Sequence, residues 1–369
     1  MGIKMGTPWF KPKSHHQAIT AFSSNFQLYA DLSNRVKQVL SSFSPIQESY
    51  SVDESFLDLT GFTDIWERAL NIRETILHQL SIPTCIGIAP TKTLAKLAKF
   101  IAKKHPRSRG VFSWNRLTAI QKQRLLKQIP IGEVWGIGRR LRRRLVSQQI
   151  MTAYDLQNAN IDQMKDDYGI TMKRLISELH EIPCLELVEI RPPRKQMLSS
   201  RSFGQLVTDL SLLENAIAFH VSHVCTDLRK EHLVAGIIQI FLQTDRFRTD
   251  LPQHSPQICL AFEMPTDDTI KITKTAIDGL HQIVNPNASY KKAGICLMEL
   301  MDANSVIPDL FTSYGTPAII MAMDEINQRF GDGMIRISRN DASSRGWQPK
   351  KEQISPAYTT QWEDFPVCK

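Results

Sequence analysis

Several hallmarks of common protein classes are missing from this 369-residue chain. Its six cysteines, at 85, 184, 225, 259, 296 and 368, form no C-x-x-C pair, and the closest two are 34 residues apart. A zinc site and a disulfide framework are therefore not expected. No uncharged apolar run reaches about 18 residues, so no transmembrane helix is expected. The sequence also has no P-loop, no G-x-G-x-x-G and no G-x-S-x-G motif.

Acidic residues are scarce in one segment. Between Lys92 and Arg144 the chain has 16 Lys/Arg and one acid, Glu133, so these 53 residues carry a formal charge of +15 although the whole chain carries only +8. A local excess of this size indicates a polyanionic partner, with nucleic acid favoured over a membrane surface. A solvated charged face is the alternative reading of the charge alone.

The hydrophobic periodicity predicts an α+β protein with more than one domain. In the first part it predicts helices at 24–42 (capped by Ser24), 63–80 and 91–104, and strands at 48–59 and 84–89. Residues 115–188 are predicted to be helical, and the proline-rich stretch 191–195 a stiff linker. A second α/β domain is predicted at 196–301, followed by a tail at 302–369 with one helix at 316–330.

Asp53 and Glu54 are the first candidate site residues, because they stand next to each other inside the predicted strand 48–59. Tyr50, Val52 and Phe56 would share one face of that strand. Two adjacent carboxylates among apolar residues are unfavourable unless they are paired or bind a metal. Hard cations such as Mg²⁺ prefer such oxygens. Solvated acids on a sheet-edge strand are the alternative.

Two basic motifs follow. Lys92, Lys96, Lys99 and Lys103 fall on one stripe of the predicted helix 91–104, a pattern that suits a triphosphate or phosphodiester contact but also an amphipathic surface helix. The run V-W-G-I-G-R-R-L-R-R-R from Val134 has the pattern of a helix-hairpin-helix. Its glycines allow close backbone approach to a phosphate at the start of a basic helix. An ordinary glycine turn on a basic surface is the alternative.

The chain resembles a known family in several blocks that occur in the same order. They are Y-S-V-D-E-S-F at 50–56, G-I-A-P-T-K-T-L-A-K at 87–96, V-W-G-I-G-R-R at 134–140, S-R-S-F-G at 200–204 and S-P-A-Y-T-T at 355–360. In these blocks it is similar to the Y-family translesion DNA polymerases, and in particular to the UmuC-like catalytic subunits of bacterial SOS mutagenesis.

The resemblance implies a right-hand polymerase fold. It assigns 1–16 to a remnant of the fingers, 17–113 to an incomplete palm, 114–190 to the thumb with its helix-hairpin-helix, 191–195 to the linker, 196–301 to the little finger and 302–369 to a UmuC-type C-terminal extension. It also implies error-prone synthesis across damaged DNA, in the cytoplasm of a bacterium and in association with the nucleoid.

The resemblance further implies roles for individual residues. Asp53 and Glu54 would be catalytic ligands of a two-metal Mg²⁺ site, and Lys103 would bind the incoming deoxynucleoside triphosphate. Primer-template or damaged DNA would be bound by residues of the thumb and little finger, namely Gly136, Gly138, Arg139, Arg140, Arg142, Arg143, Ser202 and Gly204. A UmuD′-like dimer and RecA are the implied protein partners. Residues 307–311, I-P-D-L-F, stand where relatives carry a sliding-clamp-binding peptide, but the usual leading glutamine is missing.

The sequence also departs from the family at its start. The first palm strand, with a further metal-binding aspartate, and most of the fingers have no counterpart, since no aspartate precedes Asp31. We therefore expect a polymerase that lacks its N-terminal part and is catalytically impaired. A non-catalytic DNA-binding repair accessory protein is the alternative, because it would contain the same residues. The ordered palm blocks argue against a helix-hairpin-helix nuclease.

Overall fold

The computed structural model describes residues 3, 6–7, 19–105, 108–190, 192–307, 318–330, 334–335 and 353–365. The chain divides into two compact units. Unit 1 comprises Met1–Arg191 together with Gln353–Lys369, and unit 2 comprises Pro192–Glu352. The helices of the described ranges include none that is both long and apolar enough to cross a bilayer.

Unit 1 combines two small sheets with eight helices in its described part. The elements in chain order are α1 (Phe26–Ser41), β1 (Gln47–Ser49), β2 (Ser55–Leu57), α2 (Ile65–Leu80), β3 (Ile86–Ile88), α3 (Lys92–Lys104), β4 (Val111–Ser113), α4 (Ala119–Gln128), α5 (Arg139–Ser147), α6 (Ala153–Gln157), α7 (Ile161–Tyr168) and α8 (Ile170–Leu179). Strands β1 and β2 are antiparallel, whereas β3 and β4 are parallel. The predicted helices of this part are present with boundaries shifted by one or two residues.

The predicted strand 48–59 was wrong, because it is a β-hairpin. The Ser51 N–H donates to the Glu54 carbonyl (3.0 Å) and closes a turn between β1 and β2. Short polar side chains favour this turn over a strand because they bond locally, as Ser51 Oγ does to Asp53 Oδ1 at 2.7 Å. Tyr50 therefore meets Phe56 across the hairpin, with ring centroids 5.8 Å apart. Val52 does not share their face and lies exposed near the turn.

Helix α3 is fixed directly on strand β3. Thr91 caps the helix by accepting from the Leu94 N–H, and a Cβ at Gly87 would overlap the backbone of Ala95 and Lys99. Leu94, Leu97 and Ile101 then extend into a core that continues through the helices up to α8. One rigid face of α3 is thereby buried, and its lysines emerge along the other side.

Unit 2 contains a four-stranded antiparallel sheet and three described helices. Its elements are β5 (Gln196–Val207), α9 (Leu210–Lys230), β6 (Leu233–Thr244), β7 (Gln257–Thr266), α10 (Thr269–Ile283), β8 (Tyr290–Asp302) and α11 (Ala318–Phe330). The strand order is β5-β8-β6-β7. Apolar side chains of α9 and α10 pack on one face of the sheet and form its core. The sequence analysis did not predict strand β7, although exposed and half-buried positions alternate along it.

The C-terminal segment 353–365 returns to unit 1 and contacts the residues before α1. The Ser23 N–H donates to the Gln353 carbonyl at 2.7 Å. Asn25 Nδ2 donates to the Ser355 carbonyl at 3.0 Å, while Asn25 Oδ1 accepts from the Leu28 N–H at 3.2 Å. The helix cap is thus Asn25 and not Ser24 as predicted. Residues 308–311 of the predicted clamp-binding segment and most of the predicted fingers remnant 1–16 lie outside the described residues.

Candidate active site and nucleic-acid interface

Asp53 and Glu54 lie at the turn of the β1–β2 hairpin, which we call the carboxylate hairpin (residues 47–57). Asp53 is exposed, and its Oδ1 accepts from Ser51 Oγ at 2.7 Å. This hydrogen bond holds the pKa of Asp53 below its ordinary value of 3.8 against the opposing effect of partial burial. Asp53 therefore presents an ionised carboxylate to solvent at neutral pH.

Glu54 is held by two lysines of α3. Lys96 Nζ lies 2.8 Å from Oε2, and Lys99 Nζ bonds to Oε1. Partial burial raises the pKa of Glu54, but the hydrogen bonds from Lys96 and Lys99 outweigh it, so the net pKa is lowered. Two adjacent carboxylates would by themselves raise at least one pKa. Here the Ser51 hydroxyl on Asp53 and the two lysines on Glu54 outweigh that effect.

Lys92 forms an ion pair with a different carboxylate, that of Glu48. Its Nζ lies 2.5 Å from Oε2 of buried Glu48 and 3.2 Å from the Glu186 carbonyl. The Val188 N–H also donates to Glu48 Oε2 at 3.0 Å. Three of the four lysines of the predicted stripe therefore neutralise acids of the carboxylate hairpin. Lys103, at the far end of α3, is exposed and has no ion pair within the part of the chain that the structure describes.

The free carboxylate oxygen of Asp53 suits a hard divalent cation. The described residues do not supply enough ligands for two such ions. Asp53 Oδ2 accepts no hydrogen bond from another described residue, whereas both Glu54 oxygens are bound to lysines. No cluster of three acid, histidine or cysteine side chains occurs among the described residues. Asp58 lies at the open end of the hairpin, where its N–H donates to the Ile46 carbonyl and its Oδ1 accepts from the Thr60 N–H at 2.8 Å.

The run from Val134 forms the predicted glycine turn before a basic helix. Val134 and Ile137 are buried, and the Ile137 N–H donates to the Val134 carbonyl at 3.1 Å. Gly136 has a φ of +88°, which a residue with a side chain adopts only with strain. A Cβ at Gly136 or Gly138 would meet no described residue within 4 Å apart from the chain neighbours of that glycine, so the space beside the turn is open.

Helix α5 starts directly after Gly138, and no described side chain caps its first N–H groups. The predicted arginines Arg139, Arg140, Arg142 and Arg143 are all exposed. Arg142 passes over Gly132, where a Cβ would lie 2.8 Å from its Cδ. Unpaired N–H groups, the positive end of the helix dipole and several guanidinium groups suit a phosphate group.

An aromatic cluster that the sequence did not reveal joins these two features. It consists of Tyr50, Phe56 and Trp135. Trp135 Nε1 donates to Tyr50 Oη at 3.0 Å, and the two ring centroids lie 5.4 Å apart. Trp135 precedes the glycine turn and Tyr50 precedes Asp53, so the cluster connects the two motifs. A sequence signal was present, since both aromatic residues stand inside the motifs, but their contact spans 85 positions.

Ser202 and Gly204 lie in unit 2, on exposed positions of β5. Ser202 is opposite Lys292 of β8, and the pairing becomes irregular between Ser202 and Val207. Phe203, between the two predicted residues, is buried in the core. The strand thus presents Ser202 and Gly204 away from the core. Lys292 and Gln243 neighbour Ser202 across the sheet.

Comparison with known proteins places the chain in a family. The profile of the impB/mucB/samB family matches residues 1–99, the profile of that family's C-terminal domain matches residues 194–310, and a domain of unknown function (DUF4113) matches residues 317–368. UmuC of Salmonella typhimurium (strain LT2) is 34% identical, and the alignment covers 99% of this chain and 88% of that protein. ImpB of Salmonella typhimurium is 33% identical over 100% of this chain and 89% of that protein.

A solved structure, the Y-family DNA polymerase chimera Dbh-Dpo4(243-245)-Dbh, has the same fold. It superimposes with a TM-score of 0.63 at 20% identity and covers 81% of this chain and 84% of that chain. The alignments with UmuC and ImpB span nearly the whole of this chain and 88–89% of those proteins, and they give no evidence for the predicted catalytic impairment. The profiles, the relatives and the fold together show that this chain belongs to the impB/mucB/samB family, the UmuC-like Y-family DNA polymerases.

Proposed function

We propose that the protein carries out error-prone translesion synthesis in the bacterial SOS response, adding nucleotides to primer ends opposite damaged template bases. One observation carries the proposal. The turn with Asp53 and the glycine turn before α5 belong to the same unit and are joined through the hydrogen bond between Trp135 and Tyr50. A carboxylate site suited to phosphoryl transfer is thereby connected with a site suited to a DNA phosphate.

DNA binding is assigned to the N-terminus of α5 in unit 1 and to the exposed side of β5 in unit 2. Gly136 and Gly138 admit the DNA backbone, and Arg139, Arg140, Arg142 and Arg143 neutralise phosphates. Ser202 and Gly204 add contacts from β5. Such contacts bind DNA of any sequence, because phosphate carries no base information. A polymerase that has to copy damaged templates needs binding of this kind.

The chemistry is assigned to Asp53, Glu54 and Lys103. Mg²⁺, when bound, activates the primer hydroxyl and neutralises charge on the reacting phosphates. Asp53 offers an ionised carboxylate for it, and Glu54 offers its Oε1 once Lys99 turns to another anion, while Lys96 stays on Oε2. Lys103 offers its ammonium group to the incoming deoxynucleoside triphosphate. The protein contributes position and charge more than covalent chemistry in such a reaction.

The finer assignments rest on the family alone. They are action on chromosomal DNA in the bacterial cytoplasm and cooperation with a UmuD′-like dimer and RecA. Binding of the sliding clamp through residues 307–311 is proposed on the same ground. The SOS partners can be tested by measuring primer extension with and without them.

The decisive experiment is primer extension by the 369-residue chain with its protein partners, on an undamaged template and on one with an abasic site. We expect extension across the lesion that Asp53→Asn abolishes. A matched control, Asp162→Asn, removes another exposed acid of unit 1 and should leave the rate unchanged. We expect the rate to be low beside that of Salmonella UmuC, because the described residues supply no third ligand group next to Asp53 and Glu54.

The same experiment separates the alternative function. A repair accessory protein would bind primer-template DNA and add no nucleotide under any condition, and Asp53→Asn would have no effect on its binding. Normal extension by Asp53→Asn would contradict the assignment of the catalytic carboxylate.

A further inference from the structure

Trp135 and Tyr50 form a contact that reaches from the glycine turn to the carboxylate hairpin. The Trp135 indole N–H donates to Tyr50 Oη at 3.0 Å, and the Trp135 ring also lies 6.0 Å from the Phe56 ring centroid. Each residue is close in sequence to a motif, with Trp135 next to Gly136 and Tyr50 three positions before Asp53. A displacement of either the glycine turn or the carboxylate hairpin would therefore change the length and angle of this hydrogen bond.

Lys96 connects the Trp135–Tyr50 pair with Glu54. Its Nζ lies 4.3 Å from the Tyr50 ring centroid and 5.0 Å from that of Trp135, and it also binds Glu54 Oε2 at 2.8 Å. Cations over aromatic faces are attracted by the ring electrons. The one ammonium group is thus held by two aromatic rings and one carboxylate. The position of Glu54 depends on where these rings place Lys96.

Packing alone does not account for the hydroxyl group of Tyr50. Tyr50 is 41% exposed. A phenylalanine ring would make the same packing contacts with Phe56 and Trp135, so packing does not require the hydroxyl group. Trp135 is half-buried, and its indole N–H could bond to water instead. A specific hydrogen bond between two partly exposed groups fixes their mutual orientation, which a packing contact does not require.

We propose that Trp135 is a positioning residue that couples DNA binding at the glycine turn to the placement of Glu54, through Tyr50 and Lys96. This inference rests on the proposed function. A phosphate bound at Gly136 and Gly138 fixes the orientation of Trp135. The hydrogen bond from Trp135 then holds the hydroxyl of Tyr50, and the Tyr50 ring holds Lys96. Lys96 in turn keeps Glu54 in the orientation that the reaction needs. Trp135 acts through other residues and touches no reacting atom.

A spectroscopic test needs no activity. In ¹⁵N-labelled protein, the Trp135 indole resonance is identified by its loss in Trp135→Phe. Glu54→Gln, at the far end of the contact, should shift that resonance, and so should duplex DNA. Tyr50→Phe removes the acceptor and should move the resonance toward that of a solvated indole. The matched control is Glu181→Gln, because Glu181 accepts from the Trp114 indole at 3.1 Å and pairs with Lys122. It should shift Trp114 and leave Trp135 unchanged.

A kinetic test addresses the role itself. At saturating DNA, Tyr50→Phe and Trp135→Phe should each lower kcat about two- to tenfold, the range for loss of one hydrogen bond. The double variant should be no slower than the slower single variant, and the Kd for DNA should stay within about twofold. Tyr154→Phe, which loses a hydroxyl bonded to Gln123 at 2.8 Å, should leave kcat unchanged.

The outcomes separate the two proposals. If the wild-type chain adds no nucleotide, the polymerase proposal fails while the indole resonances still test the coupling. If Glu54→Gln and DNA leave the Trp135 resonance unmoved while Glu181→Gln shifts Trp114, the coupling is overturned. Multiplying reductions of kcat in the double variant, or weaker DNA binding at unchanged kcat, would overturn it as well.

Discussion

Glu54 illustrates how a single carboxylate can be kept ionised and yet occupied by partners within its own chain. Its side chain is only 21% exposed, and both of its oxygens face ammonium groups of α3. Each lysine lowers the negative potential that a metal ion would meet at the hairpin turn. The lysines therefore stabilise the hairpin on α3 and weaken its attraction for Mg²⁺ at the same time.

Removing one of these lysines should strengthen Mg²⁺ binding. Lys99→Gln takes away the cation on Glu54 Oε1, so that oxygen can ligate a metal. We expect affinity for Mg²⁺ to rise about threefold to tenfold, as for a charge removed a few ångströms away at a protein surface. Calorimetric titration measures this, and Lys122→Gln, which removes the partner of Glu181, is the matched control. Equal affinities in both variants would contradict the account.

His220 is a buried histidine whose ionisation opposes folding of unit 2. It is 0% exposed, and its Nδ1 lies 2.8 Å from Ser199 Oγ. Burial, with a smaller effect of Arg201, lowers its pKa from 6.5 to about 3. The folded state therefore keeps this ring neutral over a pH range in which the unfolded chain takes up a proton.

The depressed pKa of His220 predicts a loss of stability in acid. Well above pH 6.5 the ring is neutral in both states and does not affect stability. As the pH falls from about 6.5 to about 5, protonation of the unfolded state should lower the free energy of unfolding of unit 2 by about 2 kcal/mol. Hydrogen exchange of α9 amides measures this. In His220→Leu the decrease over that interval should be smaller by that amount, and an identical pH dependence would contradict the prediction.

At the scale of elements, helix α5 concentrates the contacts expected for DNA. It buries Leu145 and exposes the arginines that follow Gly138. A helix of this kind contributes little to the core for its length. Its many exposed arginines are better explained by the proposed contact with DNA phosphates than by packing.

The salt dependence of DNA binding tests this explanation. Replacement of Arg139, Arg140, Arg142 and Arg143 by Ala should flatten the slope of log K against log salt by up to about 0.9 for each phosphate that is no longer neutralised. The control variant replaces four exposed lysines of other helices, Lys165, Lys230, Lys271 and Lys274. It should keep the slope. Fluorescence anisotropy with duplex DNA gives both slopes, and an unchanged slope in the arginine variant would remove α5 from the interface.

Elements with a regular apolar stripe were predictable from the sequence, as α2 and α3 show. The carboxylate hairpin was not, because Tyr50, Val52 and Phe56 fit a period of two, and this regular pattern concealed the weaker turn signal of the short polar side chains Ser51 and Asp53. The pairing of Glu54 with Lys96 was not predictable either, since it joins residues 42 positions apart and depends on how β3 holds α3. The glycine turn was predictable because its backbone requirement is local to Gly136.

For the whole molecule, Asn25 combines two tasks that can be separated. Its Oδ1 caps α1, and its Nδ2 holds the Ser355 carbonyl of the returning C-terminal segment. Asn25→Asp keeps the cap but has no N–H donor for Ser355. We expect faster hydrogen exchange of the Ala357 and Thr360 amides with unchanged exchange in α1. Asn25→Ala should accelerate both, because loss of a cap costs about 1 kcal/mol. Unchanged exchange at Ala357 in Asn25→Asp would contradict the prediction.

The return of residues 353–365 to unit 1 makes unit 2 an insertion and not an appendage. The chain leaves unit 1 after Arg191 and re-enters it at Gln353, so unit 2 is a closed loop with both ends anchored on the same body. A cut at 192–195 would leave the second anchor in place, because the contacts of Ser23 and Asn25 still hold segment 353–365 on unit 1. We therefore expect a protein cleaved there to remain associated as one molecule, and to separate once those contacts are lost.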